Sequence, residues 1–282
     1  MYQAGLVLEG GGMKGVYTAG VLDFFLEKNL EFSHCYGVSA GAITLCSYLS
    51  KQKRRGYRTL TEYMDNKRFN GLWSLLTNGN IFHSEFSYDL VPNYLLPFDY
   101  ETYNRYTGKA YAVATDIQAG EAKYLPLREM KHDIVAVQAS ASLPLVSKNV
   151  EYEGKLYLDG GIADSIPIRK SIMDGNRKNV VVLTKEVGYL KEPSQGMELL
   201  RLKYRKYPKV YELMKNRHKE YNETMEYLHR QVDNGQAFVI QPKMKNEIGR
   251  MEKDEKKLQV LYEIGYQDAK ECYQELIAYL EN

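Results

Sequence analysis

Cysteine is scarce in this chain. Cys35, Cys46 and Cys272 are the only three among 282 residues, and no two of them stand at the spacing of a redox pair or a zinc ligand set. Unpaired thiols suit a reducing, cytosolic compartment. Cys35, in a strand-like run, and Cys46, in a helix-like one, read as small buried hydrophobes rather than nucleophiles. The five histidines, His34, His83, His132, His218 and His229, lack a ligand spacing such as His-x-x-x-His, so no metal is expected. An excess of one charge is also missing: 38 basic and 36 acidic residues leave a formal +2, which gives no electrostatic case for nucleic acid. No uninterrupted apolar run approaches the roughly 18 residues of a membrane-spanning helix. Met1 to Gly5 lead straight into a strand-like run, without the basic and apolar regions of a signal peptide. Neither an internal repeat nor a low-complexity tract is visible. What the chain does have is 44% apolar residues, enough for a sizeable core.

It also has glycine in two places that matter. Leu6-Val7-Leu8-Glu9 runs into Gly10-Gly11-Gly12-Met13-Lys14-Gly15, and 22 residues after Gly15 comes Gly37-Val38-Ser39-Ala40-Gly41. Each glycine cluster lies between an apolar β-like run and a helix-forming segment. Backbone N–H groups at such a turn are unpaired and point outward, able to hold an anion or a developing oxyanion. Gly-x-Ser-x-Gly between a strand and a helix is the setting that lifts a serine hydroxyl onto a strained bend. Further on, Leu156-Tyr157-Leu158-Asp159-Gly160-Gly161 is a strand-like run ending in an aspartate on a glycine turn; an ordinary Asp-Gly hairpin has the same form.

Two other readings use the same residues. Gly10 to Gly15 fits Gly-x-Gly-x-x-Gly, a dinucleotide loop, but the next strand ends in Gly-Val-Ser-Ala-Gly, where that motif wants a ribose-binding acid. Val16 after Gly15 also excludes a phosphate-binding Walker loop. A serine–histidine–aspartate triad would have to recruit His218 or His229, yet its usual fold sets the serine after several strands, and Ser39 follows only the second.

The glycine loop, the serine elbow and the Asp-Gly-Gly turn, in this order, resemble the patatin-like phospholipase family. Ala139-Ser140-Ala141-Ser142-Leu143-Pro144 resembles a fourth block of that family, and the resemblance spans about residues 4 to 185. It implies a carboxylic ester hydrolase of lipids that uses a dyad: Ser39 as nucleophile and Asp159 as its base, with Gly11, Gly12 and Lys14 at the oxyanion. Gly10, Gly15, Gly37, Gly41, Gly160 and Gly161 complete the motifs. No cofactor is implied; the partner is a lipid or acyl ester, with cytoplasmic location and peripheral contact at the inner membrane face. A lipid-binding or regulatory module of the same fold with little turnover is the other function the resemblance leaves open.

The resemblance and the alternating pattern both predict an α/β protein: a three-layer α/β/α arrangement with a largely parallel sheet and a helical C-terminal extension. Strands are expected near 4–9, 32–38, 109–116, 155–158 and 179–184, and helices near 15–29, 40–50, 129–139 and 167–174. Residues 1–189 would form the catalytic domain and 190–282 a mostly helical region with one strand near 237–241. Residues 51–108, with Trp73, Phe82, Phe86, Tyr88, Tyr94 and Phe98, are candidates for a cap over an acyl site. From Pro208, a stripe through Val210, Met214, Arg217, Tyr221, Met225, Leu228 and Val232 predicts a docking helix, and a last helix is expected from Asp254 to Tyr279. Arg201 to Lys209 carries five basic residues and no acid; it reads first as a solvated helix end whose tyrosines pack on the core, and second as a segment that rests on anionic headgroups.

Overall fold

Short, mostly apolar runs make the inner strands, because a strand covered on both faces has little polar side to show. In the computed structural model, which describes residues 1–64, 84–244, 248–249 and 251–282, β1 (Tyr2–Leu8), β2 (Phe32–Val38), β3 (Lys109–Asp116), β4 (Glu121–Pro126), β5 (Val150–Tyr152), β6 (Lys155–Asp159), β7 (Asn179–Val182) and β8 (Ala237–Ile240) form one sheet. Its order is β5-β6-β3-β2-β1-β7-β8, with β4 added against β3. The pairs from β3 through β2 and β1 to β7 and β8 are parallel; those that β4, β5 and β6 make are antiparallel.

Side chains alternate across each strand, so β1 sends Ala4, Leu6 and Leu8 to one face and Val7 to the other. The first face carries α1 (Gly15–Glu27), α2 (Ala40–Leu49), α5 (Met130–Ser140), α9 (Glu255–Glu271) and α10 (Tyr273–Glu281). The second carries α6 (Ile168–Met173) and α8 (Pro208–Asp233). This is the expected three-layer arrangement. Shorter helices α3 (Arg55–Thr61), α4 (Tyr100–Asn104) and α7 (Met197–Lys203), a π-helical segment Phe86–Leu95 that contains Pro92, and 3₁₀ turns at Gly12–Lys14 and Gly160–Ile162 complete the described elements.

The C-terminal third is built into the body. β8 extends the sheet in parallel with β7, and α9 lies against α1 closely enough for backbone to meet backbone. A Cβ on Gly20 would stand 2.1 Å from the carbonyl oxygen of Tyr262, and one on Gly265 would stand 2.1 Å from that of Tyr17. Two buried tyrosines flank the crossing reciprocally: Tyr17 donates to Asp268 Oδ2 at 2.9 Å and Tyr262 to Asp23 Oδ2 at 2.7 Å. The apolar stripe predicted from Asp254 to Tyr279 is thus a docking face, although the helix breaks at Cys272 into α9 and α10. No described helix is long and apolar enough to cross a membrane.

Candidate active site

Three chain turns converge at the carboxyl end of the central strands. β2 ends at Val38 and passes into α2 through Ser39, which has φ 54° and ψ −120°. A non-glycine residue at positive φ is strained, and such strain persists only where its surroundings impose it. Here the Ser39 N–H donates to Ser140 Oγ at 2.9 Å, and its carbonyl accepts the first-turn N–H groups of Ala42 and Ile43. Space on both sides is cleared by glycine: a Cβ on Gly37 would press on Ala42 Cα at 2.6 Å, and one on Gly41 on the Leu8 carbonyl oxygen at 2.6 Å.

Asp159 reaches the same corner through a change of partner. β3 pairs with β2 up to Val113 and with β6 from Ala114 to Asp116. β4 occupies the whole opposite edge of β3 from Tyr111 to Asp116, so β2 and β6 share one edge and meet end to end. β2 runs into that junction at Val38 and β6, in the opposite direction, at Asp159. The junction is tight, since a Cβ on Gly160 would lie 2.0 Å from the Val113 carbonyl oxygen. The Asp159 carboxylate is buried and its Oδ1 accepts from the Gly161 N–H at 2.8 Å. Its backbone is fixed by Asp159 N–H donating to Ser142 O and by Thr115 Oγ1 donating to Asp159 O, both at 2.8 Å.

The glycine loop closes the third side. Gly12 has φ 58° and opens a short 3₁₀ turn, Gly12–Lys14, leading into α1 at Gly15. A Cβ on Gly10 would lie 3.0 Å from the Val38 carbonyl oxygen, and one on Gly11 2.5 Å from Thr184 Oγ1. Ser39, Asp159, Gly10, Gly11, Gly12 and Gly161 line one polar chamber of about 40 Å³. Lys14 is buried in the turn and lines neither this chamber nor its neighbour.

The neighbour is apolar. A cavity of about 140 Å³ extends from Ser39 past Ile43, Leu60, Val91, Phe98, Ile134 and Val137. Gly12, Ser39 and Leu143 border both spaces, so the serine stands at the doorway between them. Tyr88, Val91, Pro92 and Phe98 come from the region singled out as a candidate cap. Of the other aromatics of that region, Phe86 is buried, Tyr94 is exposed, and Trp73 and Phe82 lie outside the described residues. Burial raises the Tyr88 phenol, and the Asp159 charge adds to that shift. Arg55 is buried in the cavity wall, donating to Ser47 Oγ at 3.3 Å and Leu96 O at 3.0 Å, with its guanidinium over the Phe98 ring. Its desolvation lowers it to about 10.

The remaining residues weighed from the sequence stand elsewhere. Cys35 and Cys46 are buried, and burial pushes both thiols up to about 12, away from nucleophilic use. His218 and His229 lie on α8, His34 in β2, and His132 pairs with Asp133 at 2.7 Å; none of them lines either chamber. His83 falls outside the described residues. Sequence reasoning gave no role to Ser140, which holds the elbow, nor to Glu9, whose buried carboxylate accepts from Thr184 N–H at 2.7 Å and Tyr221 OH at 2.9 Å. The Ala-Ser pair at 139–140 was the only signal for the first; none marked the second.

A family model described as patatin-like phospholipase matches residues 6–171, and one described as a domain of unknown function matches residues 207–281. The chain is 30% identical over 185 residues to the uncharacterized protein YjjU of Escherichia coli K12, covering 64% of this chain and 51% of that protein. It is 25% identical over 198 residues to the probable lipid hydrolase 463L of Invertebrate iridescent virus 6, covering 63% of this chain and 66% of that protein. The matched regions thus span between half and two thirds of those relatives. The crystal structure of VipD from Legionella pneumophila resembles the whole chain in fold, with a TM-score of 0.51 at 11% identity, over 67% of VipD.

Proposed function

The chain belongs to the patatin-like phospholipase family, and on that premise we propose that it is a serine lipid acyl hydrolase working through Ser39 and Asp159. The observation that carries this reading is the end-to-end meeting of β2 and β6 on one edge of β3, which gives Ser39 and Asp159 a common chamber with the glycine loop. Serine needs a proton acceptor to act as a nucleophile. Asp159 is the acceptor: as Ser39 Oγ bonds to the substrate carbonyl carbon, Asp159 takes its proton and the carbonyl π pair moves onto oxygen. The N–H groups of Gly11 and Gly12 hold that oxyanion, an effect worth about 3–4 kcal/mol per donor in other hydrolases. Lys14, buried beneath the loop, supports the turn.

Collapse of the tetrahedral intermediate breaks the bond to the alcohol, which leaves with the proton from Asp159. Water then gives a proton to Asp159 and adds to the acyl-serine, and the second collapse returns that proton to Ser39 and frees the fatty acid. The apolar cavity takes the acyl chain. No metal or organic cofactor enters the scheme, and we assign the enzyme to the cytoplasm, meeting lipid from the water side.

Fluorophosphonate labelling tests the nucleophile. The label is expected on Ser39, with loss of turnover of p-nitrophenyl esters and phospholipids in Ser39→Ala. Label on another residue, or undiminished turnover in that variant, overturns the assignment. Labelling with tight lipid binding and no turnover would favour the lipid-binding module. An essential His218 or His229 with a dispensable Asp159 would establish a triad.

A further inference from the structure

The cavity assigned to the acyl chain is mostly apolar, yet Arg55 and Thr59 also line it. They stand four residues apart on α3 and so share a face of that helix. Both are incompletely bonded. Arg55 is only 6% exposed, and of the five N–H donors that a guanidinium carries one Nη1 donor reaches Ser47 Oγ and one Nη2 donor reaches Leu96 O. Its buried Nε meets no acceptor, and the buried Thr59 Oγ1 has no partner either.

A buried arginine is ordinarily matched by a carboxylate. Among the described residues none pairs with this one: the titratable groups that act on it most are Cys46, Tyr100, Tyr63 and Arg58, three neutral at physiological pH and the fourth a cation. A clamp between α2 and the turn at Leu96 accounts for the two Nη groups. It accounts for neither Nε nor Thr59. An orphaned buried donor is costly and calls for a partner, and a ligand that fills the cavity can bring the acceptor with it.

Spacing says where on the ligand that acceptor lies. Ser47, which holds the guanidinium, stands eight residues beyond Ser39 along α2, about 12 Å at 1.5 Å per residue. We propose that the cavity selects a medium-length acyl chain with an acceptor oxygen group at its distal end, best a carboxylate, which Arg55 and Thr59 bind while the ester lies over Ser39. This rests on the hydrolase reading of Ser39 and names its substrate class. A carboxylate takes charge-assisted bonds from the guanidinium, whereas a methyl end leaves the same donors orphaned, and a site built to hydrogen-bond a ligand discriminates against the analogue that lacks the partner.

Two esters of one chain length make the test: p-nitrophenyl nonanoate, which ends in a methyl, and mono-p-nitrophenyl azelate, which ends in a carboxylate. The wild type is expected to show a kcat/KM at least ten-fold higher for the azelate. Arg55→Met should reverse that preference and Thr59→Val should lower it about three-fold, with circular dichroism and Tm confirming the fold. Arg55→Met also removes the bond to Leu96 O, so Thr59→Val decides alone if that variant does not fold. Equal or better turnover of the nonanoate by the wild type, or a preference that survives both substitutions, overturns the proposal. A preference that survives them and falls on Lys185→Gln would place the carboxylate instead in the polar chamber, whose wall includes Lys185, Lys191 and Arg217. Calorimetry of the Ser39→Ala protein with monomethyl azelate and methyl nonanoate reads the same preference without turnover. Should it hold there while the wild type hydrolyses neither ester, the chain-end site stands and the hydrolase reading falls.

Discussion

Helices α1 and α8 cover opposite faces of the same sheet, and they are built on different terms. α1 is buried from Gly15 to Phe25, whereas α8, twice as long, buries only Val210, Tyr221, Leu228 and Gln231. α1 lies between the sheet and α9, so every side meets protein; α8 has the sheet beneath it and water above, and is amphipathic accordingly. The helix that leaves the glycine loop is thus held as core, while the opposite helix is a one-sided cover that lends Arg217 to the chamber and a hydroxyl, that of Tyr221, to Glu9. Changes on the α1 side should abolish activity or the fold, and changes on the outer side of α8 should be tolerated.

The widest separation is expected at the reacting groups. Ser39→Ala and Asp159→Asn should each lower kcat/KM for a phospholipid by three orders of magnitude or more, about 4 kcal/mol of transition-state stabilisation, with Tm little changed. Steady-state kinetics with calorimetric melting checks both halves of the statement. Comparable losses on changing an outward residue of α8 would erase the distinction between the helices.

Packing gives the next largest contrast. Gly265→Val forces a side chain onto the Tyr17 backbone, which lies at 2.1 Å from the added Cβ, and should destabilise the protein by about 3 kcal/mol or more, overpacking against rigid backbone being near the upper end of such costs. Val232→Ala, at a site 40% exposed on α8, should stay within about 0.5 kcal/mol. Chemical denaturation measures both, and equal effects would mean that α9 is loosely attached.

Most of this architecture was legible locally. β1, β3, β6, β7 and β8 announce themselves as largely apolar runs and β2 by its place before the serine elbow, with the helices between them as apolar stripes. β4 and β5 did not, because Glu121, Lys123 and Glu151 interrupt them as suits half-exposed strands, and β5 has only three residues. The motifs named Ser39, Asp159 and Gly10–Gly12, but not why they meet. That depends on β3 exchanging β2 for β6 between Val113 and Ala114, a register joining residues far apart in sequence. Lys185, Lys191 and Arg217 stood unremarked as chamber residues for the same reason: only the fold turns them to the loop. The break at Cys272 is equally silent, since the apolar stripe continues across it.

A smaller effect is expected at the loop itself. Gly11→Ala would bring a methyl to 2.5 Å from Thr184 Oγ1 and shift the N–H groups proposed for the oxyanion, lowering kcat about a hundred-fold, or roughly 2.7 kcal/mol, with little change in KM. A rise in KM at constant kcat would instead assign the loop to binding.

Below this lies a pH effect at Asp164, in the turn after Asp159. Desolvation raises its carboxyl to about 6, against the bonds it accepts from Tyr124 OH at 2.7 Å and Ile166 N–H at 3.2 Å. The folded state therefore holds this proton more strongly than the unfolded chain, so the contribution of Asp164 to stability falls as pH rises from about 4 to about 6 and is constant above. Asp164→Asn should remove up to one proton's worth of that slope, about 1.4 kcal/mol per pH unit. Identical pH–stability slopes for the two proteins would contradict it.

The smallest effect concerns peripheral contact with lipid, proposed for the basic segment from Arg201 to Lys209. Interfacial tyrosines would strengthen such a contact, but Tyr204 is buried and Tyr207 packs beside it. Lys203 and Lys209 are tied back to the chain, donating to Ser147 O at 3.1 Å and to Ala119 O at 2.9 Å. Arg201, Arg205 and Lys206 are the other exposed charges, beside Leu199 and Leu202 at 59% and 67% exposure. Three charges at roughly 1 kcal/mol each near an anionic surface give weak binding that salt screens. Sedimentation with phosphatidylglycerol vesicles at low salt should therefore show modest retention, lost at physiological salt and in the variant with all three residues changed to Gln. Retention that survives both changes would move the membrane contact to another face, and the mouth of the chamber between the glycine loop and α8 would then be the surface to test.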